Sequence, residues 1–228
     1  MYAQRIGAVC FLAASLCSSP LAAQYTAWID GQNLGSKFMR VYNASPPPIG
    51  YLQFCRRHPT ECRPEFTKQR RLELTADRWS ELESVNRYVN KTVTPVSDQD
   101  LYGKPEFWTF PQYQGDCEDY VLLKRRMLVN KGWPLSALLI TVVLDENSDG
   151  HAILTVRTAN GDYILDNKRQ EIVAWNESPY KFVKRQSHEN QRKWMSLLPD
   201  QKNNSLSSAN FQQALPPRHA RGGLHTGE

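Results

Sequence analysis

Apolar positions along the chain change period near its middle, dividing a helical part from a strand-rich part. Trp79, Leu82, Val85 and Val89 recur at helical spacing, and Thr75 stands where an N-cap belongs, so the spacing predicts a helix from Thr75 to about Val89. The cluster Thr94-Pro95-Val96-Ser97-Asp98 ends it. A second helix is predicted from about Cys117 to Asn130, capped by Asp116 and stopped by Gly132 and Pro134. Tyr120, Leu123 and Met127 line its apolar face, widened by Val121, Leu128 and Val129. Then the period changes. Ala137 to Leu144 is a nearly continuous apolar run, as in a buried strand. A polar turn over 145–150 leads to a second strand, Ala152 to Thr158. Asn160-Gly161 is a strong two-residue hairpin signal, and Tyr163 to Leu165 begins a third strand. Glu171 to Trp175 and Tyr180 to Lys184 are two further candidates. Helices followed by an antiparallel sheet make an α+β layer arrangement.

The flanks read differently. Residues 24–50 are polar and broken by Pro46-Pro47-Pro48, an extended, loop-rich lead-in. Residues 98–114 hold Tyr102, Phe107, Trp108, Phe110 and Tyr113 without clear period, an aromatic loop that either packs the core or walls a substrate groove. One domain is expected over 51–198, and the polar tail 199–228 is expected to be disordered. At the N-terminus, Arg5, the short apolar run Ile6 to Leu16 and small residues up to Ala23 read as a secretory signal, residues 1–23. That run is shorter than the roughly 20 residues a bilayer span needs. Neither Cys10 nor Cys17 follows a lipobox. The mature protein is therefore expected in the periplasm or outside the cell, with no membrane attachment.

Composition narrows the partners. In 228 residues, 22% are charged and the net charge is +5, so the chain suits one soluble domain. Its Lys and Arg are scattered among acids, which argues against a nucleic-acid partner. Signal cleavage leaves Cys55, Cys62 and Cys117, an odd number in an oxidising compartment. Cys55 and Cys62 are expected to form a disulfide; the rival is a metal site of Cys55, His58 and Cys62, which lacks a fourth ligand. Cys117 then remains the free thiol.

Cys117 sits in Gly115-Asp116-Cys117-Glu118-Asp119-Tyr120, followed by Gly150-His151-Ala152 and Leu165-Asp166-Asn167. Thiol, imidazole and carboxylate in that order are the parts of a nucleophilic triad. A helix N-terminus offers unpaired N–H groups and positive potential, which favour thiolate. His151 would take and return the proton, and Asp166 would orient it. Two tensions stand. A two-residue turn at Asn160-Gly161 would set Asp166 opposite Thr155, roughly 13 Å along the strand from His151; a bulge, a longer loop or strong coiling must close that gap. Each carboxylate about 6 Å from the sulfur also costs the thiolate on the order of 2–3 kcal/mol at an effective dielectric near 20. Either Asp116 and Asp119 are occupied as cap and capping-box partner, or a hard cation such as Ca²⁺ offsets the charge.

These blocks resemble the bacterial transglutaminase-like cysteine proteinases, together with Trp108-Thr109-Phe110-Pro111, Lys131-Gly132-Trp133-Pro134 and Phe182-Val183-Lys184-Arg185-Gln186-Ser187. The likeness runs from about Tyr51 to Trp194. It implies a papain-like or transglutaminase-like fold and a triad of Cys117, His151 and Asp166. LapG-type periplasmic proteases of this family clip a large surface adhesin and depend on calcium. Carried over, that implies calcium ligands Asp116 and Glu118. The Cys55/Cys62 segment and the polar tail are closer to a shorter, rhizobial-type branch. The expected function is an exported cysteine endopeptidase acting on a protein or peptide. A transglutaminase or amidase with the same triad, and a non-catalytic peptide-binding regulatory module, are the alternatives. A controlling membrane receptor is not legible in the sequence.

Overall fold

The computed structural model describes residues 36–64 and 71–199. The signal segment, the first part of the lead-in and the tail from residue 200 lie outside the described residues. In chain order the elements are β1 (Ala44–Ser45), α1 (Ile49–Arg57), α2 (Ala76–Thr92), β2 (Thr94–Pro95), α3 (Asp98–Tyr102), β3 (Gln114–Gly115) and α4 (Cys117–Asn130). Then follow β4 (Leu138–Leu144), β5 (Gly150–Arg157), β6 (Asp162–Leu165), β7 (Val173–Ala174), β8 (Lys181–Gln186) and β9 (Trp194–Ser196). Helices precede an antiparallel sheet, the predicted α+β order.

Among the described residues, seven strands form one sheet in the order β1-β9-β8-β4-β5-β6-β7. Alternate side chains of β4 and β5 serve two cores. Leu138, Ile140 and Val142, with Ala152, Leu154 and Val156, meet Leu82, Val85 and Val89 of α2 and Tyr120, Val121 and Leu128 of α4. Val143 and Ile153 join Met39, Ile164, Trp175, Tyr180, Phe182 and Leu197 in the other cluster. Burial on both faces explains why β4 reads as an unbroken apolar run.

Thr75 caps α2 by accepting the Arg78 N–H at 3.3 Å. Helix α4 ends where Gly132 turns left-handed at φ +88°, a conformation that disfavours any side chain. Two expectations are corrected. Residues 98–114 are not loop throughout, because Ser97 accepts the Asp100 N–H and starts the short helix α3. Asp116 stands at the N-cap of α4 but makes no capping hydrogen bond from its side chain.

Helix α1, absent from the periodicity reading, buries Tyr51 and Phe54 and is tied by the Cys55–Cys62 disulfide. The bond disposes of the metal alternative, since both sulfurs are used. Arg57, at the end of α1, donates to the Trp108 carbonyl at 2.6 Å and lies 4.2 Å from the Phe107 ring centroid. The disulfide-bearing segment thus holds the aromatic stretch that runs into the Cys117 motif.

Candidate functional site

Register decides whether His151 reaches Asp166. Strand β5 pairs with β6 so that Arg157 faces Asp162 and Leu154 faces Leu165. The chain therefore reverses through four residues, 158–161, rather than through Asn160-Gly161 alone. Thr158 closes this loop: its Oγ1 donates to the Gly161 carbonyl and accepts the Asn160 and Gly161 N–H groups. The two-residue shift places Asp166 opposite Ile153 instead of Thr155, one same-face step from His151. The side chains meet at 2.8 Å, Nε2 to Oδ1, each only 2% exposed. Of the routes that could close the gap, the structure uses the longer loop.

Asp166 is held on all sides. Oδ1 also accepts the Lys168 N–H at 3.0 Å, and Oδ2 accepts the Tyr180 hydroxyl. Its carbonyl accepts Asn90 Nδ2 from α2 at 2.8 Å. Burial alone would raise this carboxyl; the His151 hydrogen bond and charge, with Tyr180 and Lys168, outweigh it and hold Asp166 below the usual range.

Cys117 is the first residue of α4 and, among the described residues, the free cysteine. Its thiol donates to Glu118 Oε2 at 3.0 Å, and the sulfur accepts the Ala152 N–H at 3.4 Å. Among the described residues no hydrogen bond joins it to His151, although both line one cleft of about 530 Å³ with Trp108 and Ile49. Burial, then the Glu118 and Asp116 charges and the Glu118 hydrogen bond, push the thiol well above its ordinary range. The Ala152 N–H, which favours the thiolate, does not outweigh them.

The acids around the thiol converge with one more. Oxygens of Asp98, Asp116 and Glu118 all lie within 4.8 Å of one another. Burial first, then neighbouring acids, raises Asp116 to about 6 and Glu118 well above the carboxylate range. Asp119 rises to about 8, mainly by burial, and accepts the Thr109 N–H at 2.8 Å. Asp116 Oδ1 is buried with no hydrogen-bond partner. Three converging hard oxygen donors, one of them with an orphaned oxygen, fit a calcium-sized cation.

Asp98 was not among the sequence candidates. Eighteen residues separate it from Asp116, and what joins them is the parallel β2–β3 ladder, Thr94 opposite Gln114 and Pro95 opposite Gly115. Two-residue strands leave no periodic signal. Tyr180 was read only as a strand residue, with no link to Asp166.

Residues 41–202 match a family model described as bacterial transglutaminase-like cysteine proteinase. Among solved structures the chain is similar to calcium-bound Legionella pneumophila LapG, at 24% identity and a TM-score of 0.46, over 59% of this chain and 77% of that one. It is similar to EGTA-treated Legionella pneumophila LapG at 26% identity and a TM-score of 0.42, over 47% of this chain and 62% of that one. No curated protein matches it.

Proposed function

We propose that this chain, which belongs to the bacterial transglutaminase-like cysteine proteinase family, is an exported endopeptidase that cleaves protein substrates through Cys117, His151 and Asp166. The observation behind the reading is the buried 2.8 Å pair of His151 and Asp166, with His151 opening on the same cleft as a free cysteine at a helix start. Nε2 is engaged by Asp166, which leaves Nδ1 for the thiol.

His151 takes the Cys117 proton as sulfur attacks the scissile carbonyl carbon. The N–H groups at the start of α4 stabilise the oxyanion. The C–N bond breaks, His151 protonates the departing amine, and a thioester remains. Water, deprotonated by His151, then releases the acid and restores the thiol.

In the state described, the thiol is turned to Glu118. Asp98, Asp116 and Glu118 would hold a calcium ion, whose charge offsets their repulsion of the thiolate. A Glu118 carboxylate engaged there no longer accepts the Sγ–H, so the thiol is free to pair with His151. Segment 1–23 supports export, and the substrate is then a periplasmic or surface protein. A surface adhesin is the class that the family resemblance implies.

The test is incubation of the mature protein with an unstructured protein and a labelled primary amine, in calcium, read by mass spectrometry. Cleavage without amine incorporation, abolished in Cys117→Ala, is expected. Amine transferred to glutamine would assign the triad to transglutamination instead, and cleavage surviving in Cys117→Ala would overturn the reading.

A further inference from the structure

We propose that Tyr180 is a positioning residue that holds Asp166 charged and aligned for His151, extending the triad by a fourth side chain; the inference rests on the triad reading above. Tyr180 lies just before β8 and is buried, and its hydroxyl donates to Asp166 Oδ2, the oxygen that His151 does not use. Its ring stands edge-on to the imidazole, with centroids 5.6 Å apart and planes at 67°. One side chain therefore touches both partners of the pair, fixing the carboxylate by its hydroxyl and the imidazole plane by its ring.

The two carboxylate oxygens are served unequally. Oδ1 has two donors, His151 Nε2 and the Lys168 N–H. Tyr180 is the donor to Oδ2. The other groups facing the site are Lys124 from α4, which senses the Asp166 charge from within the core, and Lys168 and Arg169 from the segment after Asp166. Lys168 Nζ is engaged by Asp145 at 2.6 Å, and Arg169 pairs with Glu146 while its guanidinium lies 5.8 Å from the Tyr180 ring centroid. Among the described residues none of these side chains hydrogen-bonds Oδ2, and the Arg169 guanidinium is engaged with the Tyr180 hydroxyl instead. Without the hydroxyl, this buried anionic oxygen has no donor among the described residues, which favours its protonated form. A neutral Asp166 can neither orient His151 nor stabilise its charged form, so activity would fail at a higher pH.

The experiment is calcium-loaded alkylation of Cys117 by iodoacetamide from pH 4 to 9, in the native chain, Tyr180→Phe, Asp166→Asn, the double variant and His151→Ala. Tyr180→Phe keeps the ring, and a thermal melt reports whether it folds. The inference predicts a plateau rate about tenfold lower and an acid limb about one pH unit higher in Tyr180→Phe. It predicts no further loss when Tyr180→Phe is added to Asp166→Asn, as expected for a residue that acts through Asp166. A merely structural role would move the melt but not the acid limb. If Tyr180→Phe follows the native profile while His151→Ala slows, this inference fails and the triad stands. If His151→Ala also reacts like the native chain, the triad reading fails and this inference with it. Should Tyr180→Phe not fold, Tyr180→His, which restores a ring donor, is expected to keep the acid limb close to the native one, and a limb raised by about one pH unit there would overturn the inference.

Discussion

Cys117 donates to Glu118, and among the described residues no hydrogen bond joins it to His151, its partner in the proposed triad. The residue types and their order were legible in the sequence, because the thiol opens a helical run, the imidazole follows Gly150 and the carboxylate ends a strand-like run. Asp98 and Tyr180 were not legible, since their contacts with Asp116 and Asp166 are made by tertiary pairing. Asp98→Asn removes one of three converging charges, so calcium binding measured by calorimetry is expected to weaken about tenfold or more. Unchanged affinity would remove Asp98 from the site. His151→Ala and Asp166→Asn are both expected to depress peptide cleavage at least about a hundredfold with little change in KM, as for groups acting in the transition state.

Helix α4 begins at Cys117, the proposed nucleophile, and also buries charge. Lys124 is fully buried, and among the described residues its Nζ has no hydrogen-bond partner. The face read from sequence as Tyr120, Leu123 and Met127 is only part of what the helix buries. Glu118, Asp119, Lys124 and Arg125 are covered as well, which a hydrophobic pattern cannot show. Burial lowers Lys124 to about 7, against a raising influence from Asp166. The unfolded chain therefore keeps a proton on this lysine that the folded chain gives up between about pH 7 and 10.5. Stability should rise with pH across that window, and below pH 7 the folded state bears the full penalty. Lys124→Met should flatten the profile and stabilise the protein at pH 7 by on the order of a few kcal/mol. Denaturant melts from pH 6 to 10 check this, and a parallel profile in the variant would contradict it.

At the scale of the molecule, the layer order was readable from the switch in apolar period, but the strand order was not. Strand β8 lies beside β4 although β5, β6 and β7 intervene in sequence, and β1 pairs with β9 across most of the chain. Short edge strands carry little pattern, and loop length rather than the Asn160-Gly161 signal set the register that unites His151 with Asp166. The Cys55–Cys62 bond braces the stretch before Cys117 through Arg57. Its removal in a Cys55→Ser/Cys62→Ser pair should cost about 2–3 kcal/mol in a thermal or urea melt, with a lowered cleavage rate. In the proposed function, acids beside Cys117 silence it until a cation engages them. The most direct measurement is the rate of Cys117 alkylation at pH 7 in calcium and in EGTA, read by mass spectrometry. The account predicts a rate at least about tenfold faster in calcium, lost in Asp98→Asn. Equal rates in calcium and chelator would contradict it.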